Sequence, residues 1–299
     1  MKHKILLCSI CVFLFFSCKK EKKPTNAQTY PISFKVTGFS QTQVPIGGVG
    51  KTKTAALATQ ATDSIPVQKL VYILFSTGDA HATTLKRFTK GDAGFGTITD
   101  NVPPGNYIAT FIGGSDRLIV EDDEGKGEYT PFYFHYPSNQ WDDTFYKRVP
   151  ITVTSSGINQ GVAIDRFTSR LDLIIKDAIP AGTSRITVTF SDTSLVDAKS
   201  GLKFYPGTNF TSKTINAADI GKTNYTITMY NLNNIKPFDV SISYYGINPN
   251  GPLDTKVIRN VVCKTNTRTI LSGDLFTPTN SEFTIAINQD WNTPVTVNF

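Results

Sequence analysis

ITVTF at residues 186–190 alternates without a break: Ile186, Val188 and Phe190 on one side, Thr187 and Thr189 on the other. Period-two alternation of apolar and polar residues is the pattern of a strand with one face on a core and one face in water. The pattern recurs in Tyr225, Ile227 and Met229 against Thr226 and Thr228, then in Val240, Ile242 and Tyr244, and again in Val295, Val297 and Phe299. Turn residues separate these runs and almost no stretch has helical period, so the second half of the chain reads as a β-sandwich.

The first half carries the same signal in a different form. Ile32, Phe34 and Val36 alternate with Ser33, Lys35 and Thr37, giving one half-buried strand. LVYILF at 70–75 is apolar on both faces, as expected of a strand in a sheet covered on both sides. A Pro-Pro-Gly turn at 103–105 launches a strand from Tyr107 to Ile112, and Tyr129–Tyr136 and Val149–Thr154 complete the set. Abundant Thr, Tyr and Phe, few Met and regular Gly and Pro make a β composition. About 280 residues remain after the leader described next, more than one core usually serves, so two domains are expected, 30–164 and 165–299.

Residues 1–17 have the layout of a secretory signal: two lysines, then an apolar run from Ile5 to Phe16 interrupted only by Ser9. A dozen residues of helix span about 18 Å, against a bilayer core of roughly 30 Å, so the run is too short to cross. It ends in FFSC at 15–18, a small residue directly before a cysteine, which resembles a lipobox with Phe15 where an aliphatic residue is usual. Cleavage before Cys18 and lipidation of its thiol follow, with 18–29 as a polar tether; the plainer alternative is an ordinary signal peptidase site that leaves Cys18 free. The several acyl chains of a bacterial lipoprotein anchor stably where a single chain does not.

Cys8 and Cys11 leave with the signal, so Cys263 is the one thiol of the folded part, with no disulfide open to it. It follows Val261 and Val262 and reads as a small buried apolar residue. The net charge of +6 falls to about +1 once Lys2 and Lys4 are removed and the four lysines and one glutamate of 19–23 are assigned to the tether. A near-neutral body lacks the basic footprint of a nucleic-acid binder, while the basic tether suits anionic head groups at the membrane.

Several constellations invite a functional reading. GGVGKT at 47–52 looks like a phosphate-binding loop, but Pro45 and Ile46 stand where the motif needs other residues and no βαβ rhythm follows, so it is read as linker and no nucleotide is expected. Glu121, Asp122, Asp123 and Glu124 lack the alternate spacing of a calcium loop and read as a solvated hairpin turn. His81, His135 and Cys263 are too scattered for zinc. No G-x-S-x-G elbow occurs, and Ser200 with Lys203 has no visible partner, so neither an enzyme nor a cofactor is expected. Tyr133, Tyr136 and Trp141, near Asn139, Gln140, Asp142 and Asp143, have the aromatic and polar mixture of a glycan or partner contact. The same string also serves to plug the end of a sandwich.

In KLVYILFSTGD at 69–79, VPPGNYIATFIGG at 102–114, RFTSRLDLIIKDAIP at 166–180, NTRTILSGDLF at 266–276 and FTIAINQDW at 283–291, the chain resembles the Bacteroidetes-type fimbrial subunits, the fimbrillins and their FimB-like anchor proteins. The resemblance implies two tandem transthyretin-like Greek-key β-sandwiches, export as an outer-membrane lipoprotein, and assembly with other fimbrial subunits by strand exchange. In shaft members the resembling stretch is cut after an arginine, which frees the first strand. Here no arginine precedes Arg87, and the polar stretch 40–66 holds only Lys51 and Lys53 as basic residues. The expected subunit is therefore of the anchor type, with Tyr30–Phe39 kept in its own sheet. A shaft or tip role, with processing at Lys51 or Lys53, and a monomeric glycan-binding lipoprotein are the alternatives.

Overall fold

The computed structural model describes residues 28–38, 67–78, 82–121, 132–233, 236–247, 251–277 and 283–288. Cys18, Lys51, Lys53, His81, Asp122–Glu124 and the expected strand at 294–299 lie outside the described residues. In the first half the strands are β1 (Tyr30–Thr37), β2 (Lys69–Ser76), β3 (Ala82–Thr89), β4 (Thr97–Val102), β5 (Gly105–Gly114), β6 (Ile119–Glu121), β7 (Tyr133–His135), β8 (Phe145–Val153) and β9 (Ile158–Ala163). They are followed by β10 (Asp165–Arg166), β11 (Ser169–Ile175), β12 (Arg185–Asp197), β13 (Lys203–Thr214), β14 (Tyr225–Asn231), β15 (Phe238–Tyr245), β16 (Asp254–Val261), β17 (Arg268–Gly273) and β18 (Thr284–Asn288). Helical structure among the described residues is confined to two single turns, at Pro137–Asn139 and Ala217–Asp219. The fold is all-β.

Two sandwiches follow one another, and they share a wiring diagram. In the first, a sheet of order β4-β1-β9 faces one of order β10-β8-β5-β2-β3; in the second, β14-β11-β17-β18 faces a sheet containing β16-β15-β12 with β13 alongside β12. Strand for strand, β1, β2, β3, β4, β5, β8 and β9 correspond to β11, β12, β13, β14, β15, β16 and β17. In each sandwich the opening strand lies between an antiparallel neighbour and a parallel one, β1 between β4 and β9, β11 between β14 and β17. A parallel neighbour needs a long crossover, here most of the sandwich, so each unit brings a late strand, β9 or β17, back beside its first; in the second, β18 extends the sheet beyond β17.

Alternation places the cores. Ile32, Phe34 and Val36 of β1 meet Leu70, Tyr72, Leu74 and Phe111 inside the first sandwich. Leu171, Leu173 and Ile175 meet Ile186, Val188, Phe190, Ile227 and Val240 inside the second, with Cys263 buried among them. Burial pushes the Cys263 thiol up, as suits an inert packing residue.

The expected strands at 186–190 and 149–154 are both longer in the structure, reaching Asp197 and starting at Phe145. β13, KFYPGTNFTSKT, has no alternating apolar face and carries Pro206 and Gly207, yet pairs with β12 along most of its length. Proline is tolerated there because β13 lies at the margin of its sheet. Gly157 has φ +69, and a Cβ there would run into the Pro31 carbonyl, so only glycine turns β8 into β9 this close to β1.

Candidate functional site

Two features carry the functional argument: the slot filled by β1 and the seam between the sandwiches. β1 pairs on both sides, Ile32–Lys35 opposite Thr97–Asp100 and Ile32–Thr37 opposite Ile158–Ala163. Its inward residues Ile32, Phe34 and Val36 are 1%, 0% and 3% exposed. The Phe34 ring lies 5.1 Å from that of Phe111, edge to face, and 5.8 Å from that of Tyr72. Burying three such side chains is worth roughly 5–9 kcal/mol, and removing the strand would open a groove through the first core. Beside it, the Tyr72 hydroxyl is buried with no hydrogen-bond partner among the described residues, and its pKa is raised by burial.

β2 explains why LVYILF is apolar on both faces. Leu70, Tyr72 and Leu74 face the first core, whereas Val71, Ile73 and Phe75 face the seam, where they meet Phe134, Trp141, Val196, Ala198, Tyr230 and Leu232. β6 and β7 leave the first sandwich to form a hairpin, and β7 pairs with the end of β12, Phe134 opposite Val196 and Tyr133 opposite Asp197. Polar groups tie the same seam: the Tyr146 hydroxyl donates to Ala198 O at 3.1 Å, Arg148 Nε to Lys199 O at 3.1 Å, and Ala198 N to Phe132 O at 2.7 Å.

At the crossing between the sandwiches, Arg166 donates from Nε and Nη2 to both oxygens of Asp143, at 2.6 and 2.8 Å. Both side chains are 1% exposed. The guanidinium also lies 5.1 Å over the Phe145 ring and reaches Asn266 Oδ1 at 3.4 Å. Burial pushes the Asp143 carboxyl up and Arg166 pulls it back down. On the far face of β11, the buried Asp172 accepts from Arg170 Nε, Arg268 Nε and Thr228 Oγ1 at 2.8, 2.6 and 2.7 Å.

Of the aromatic residues singled out from sequence, the structure unites two. Trp141 and Tyr136 are 3% and 1% exposed, their ring centroids 5.3 Å apart in the seam. The Trp141 indole N–H donates to Thr193 O at 2.7 Å, and Trp141 forms an isolated antiparallel bridge with Tyr230. Burial raises the Tyr136 pKa, and its hydroxyl hydrogen-bonds Thr144 Oγ1 at 3.1 Å. Tyr133 points elsewhere, half-buried against His135 and Phe204. Glu121 ends β6, its carboxylate 3.4 Å from His135 Nε2. Ser200 donates to Asp197, and Lys203 Nζ to Leu232 O at 3.1 Å. Among the described residues no group of three His, Cys, Asp or Glu is placed to hold a metal, and no helix is long and apolar enough to cross a membrane.

Sequence reasoning missed the role of Asp177. It accepts the backbone N–H groups of Leu275, Phe276 and Thr277 at 2.8, 2.7 and 2.8 Å. The signal was present, since KDAIP and GDLF belong to two of the segments that carry the family resemblance; the parallel pairing of β11 with β17 brings them together.

The fold so defined is a tandem pair of β-sandwiches of matched wiring joined by a buried seam, and solved structures of Bacteroidetes proteins are similar to it. A candidate adhesin of Bacteroides thetaiotaomicron is similar over 90% of this chain and 99% of its own, at 10% identity and a TM-score of 0.51. A fimbrial assembly protein of Parabacteroides distasonis matches over 87% of this chain and 96% of its own, at 10% identity and a TM-score of 0.45. The fimbrial anchor protein of Porphyromonas gingivalis matches over 86% and 96%, at 13% identity and a TM-score of 0.44. No family model and no curated protein matches the sequence.

Proposed function

We propose that this chain is a lipid-anchored fimbrial subunit of the anchor type, held at the outer membrane through Cys18 and joined to other fimbrial subunits by β-strand complementation. The observation that carries the reading is β1, paired along both edges and filling the first core with Ile32, Phe34 and Val36. A subunit that keeps this strand has no vacant slot for a neighbour's strand in that core, and its lipidated tether runs directly into the retained strand. Its part is then to hold a neighbour, through backbone hydrogen bonding at a sheet edge. β3, β4 and β9 are edge strands of the first sandwich among the described residues.

The FFSC sequence, the basic tether and the lack of any arginine before Arg87 support the same reading, and so does the resemblance of both halves to fimbrial subunits. The two sandwiches serve as separate domains, 30–164 and 165–299. We assign the protein no catalysis, cofactor, nucleotide or nucleic acid. Mass spectrometry of the protein from outer membranes tests the subunit type: the anchor reading expects a mature N-terminus at a lipidated Cys18, and an N-terminus after Lys51 or Lys53 would make it a shaft or tip subunit. Metabolic labelling with a palmitate analogue should mark the wild type and not Cys18→Ala.

A further inference from the structure

Where the segment 137–142 crosses β13 and β14, the seam opens to solvent as a cleft of about 260 Å³ to which both halves of the chain contribute. Its polar groups have an uneven hydrogen-bonding capacity. On the floor, Asn209 is 1% exposed, with its Nδ2 donating to Tyr230 O and its Oδ1 accepting from Thr211 Oγ1. The Thr228 hydroxyl proton goes to Asp172. With its proton committed, the Thr211 oxygen keeps its lone pairs for the cleft, and the Thr228 oxygen, which also accepts from Arg170 Nη2 at 3.3 Å, keeps one. Asp142, held by Ser115 Oγ at 2.6 Å and Arg117 Nη1 at 3.0 Å, adds carboxylate acceptors on one wall. The Trp141 N–H is spent on Thr193 and the indole is almost fully buried, so it closes the base of the cleft and adds no polar group.

The rim supplies the opposite chemistry. Lys213 is exposed on β13 and has no hydrogen-bond or ion-pair partner among the described residues, and Arg117 lines the same cleft with only part of its fork engaged by Asp142 and Gln140 O. A complementary ligand therefore donates several O–H groups to the floor and carries an anionic group for the ammonium at the rim. We propose that this cleft binds an acidic sugar unit, with the sugar carboxylate on Lys213 and its hydroxyls on Asp142, Thr211 and Thr228. An acidic peptide side chain lacks the hydroxyls, and a neutral hexose leaves Lys213 unused. The volume accommodates about one ring, below the usual range for drug-sized ligands, so the unit bound is terminal or singly exposed. This assignment does not rest on strand complementation and stands or falls apart from it.

The test is calorimetric titration of the full chain in detergent micelles with glucuronate, glucose and acetate. Glucuronate should bind at least tenfold more tightly than either of the others. Lys213→Met should bring glucuronate down to the level of glucose, Lys213→Arg should restore it, and Thr211→Val should weaken both sugars without affecting acetate. Lys213 is exposed, so an unchanged melting temperature of Lys213→Met separates lost binding from lost folding. Equal affinity for glucuronate and acetate, equal affinity for glucuronate and glucose, indifference to Lys213→Met, or no binding of glucuronate would each overturn the proposal.

Discussion

The Arg166–Asp143 pair is the most direct handle on how the two sandwiches are held together. Both side chains are 1% exposed and the contact is bidentate at 2.6 and 2.8 Å, so Asp143→Ala strands a guanidinium in a medium that cannot hydrate it. Breaking one partner of a buried pair costs about 3–5 kcal/mol, whereas replacing both by apolar residues of similar size is often neutral. For a chain of this length that loss lowers the melting temperature by roughly 6–12 °C. Because Arg166 follows β9 and also reaches Asn266, the loss falls on the junction and not on either core. Differential scanning calorimetry should show one transition for the wild type, an earlier and split one for Asp143→Ala, and recovery of most of the loss in Asp143→Leu with Arg166→Met. A shift of Asp143→Ala below about 2 °C with the single transition intact would refute the argument that this pair locks the junction.

Three further outcomes follow from the same geometry. Burial pushes the Asp192 carboxyl up to about 6, above its ordinary value of 3.8. The folded state then holds the proton more tightly than the unfolded one, so Asp192 lowers stability as pH rises from about 4 to 6, and Asp192→Asn should flatten that part of a melting-temperature profile. Asp177→Ala leaves the amides of Leu275, Phe276 and Thr277 without their carboxylate; a loss of about 2–3 kcal/mol is expected by urea denaturation, with Asp177→Asn intermediate. Residues 165–299 expressed alone should keep the core around Leu173 and Val188 and give a dispersed amide spectrum, while Val196, Tyr230 and Leu232, stripped of the seam, should bind a hydrophobic dye; a collapsed spectrum would count against two separate domains.

The strands at 30–37, 69–76, 225–231 and 238–245 are legible in the sequence because each has an apolar face, and period-two alternation is a local property of the chain. β13 is not legible in this way, since its order comes from the partner strand β12 and not from a hydrophobic pattern of its own. The doubly apolar run at 70–75 announces that both faces of β2 are covered but not by what; only the packed chain shows one side meeting β1 and the other meeting residues more than a hundred positions away. The same limit applies to Tyr133, Tyr136 and Trp141, which are neighbours in sequence, although the hairpin of β6 and β7 turns Tyr133 to the outer face while the bridge to Tyr230 draws Trp141 into the seam. The all-β class, the sandwich cores and the lipobox-like start are all written in runs of a few residues and can be read from the chain alone. The matched wiring of the two halves, the Arg166–Asp143 junction, the Asp177 turn and the cleft beside Lys213 emerge only once the chain is packed. Those features depend on long-range pairing, and contacts between distant residues leave no periodicity in the chain.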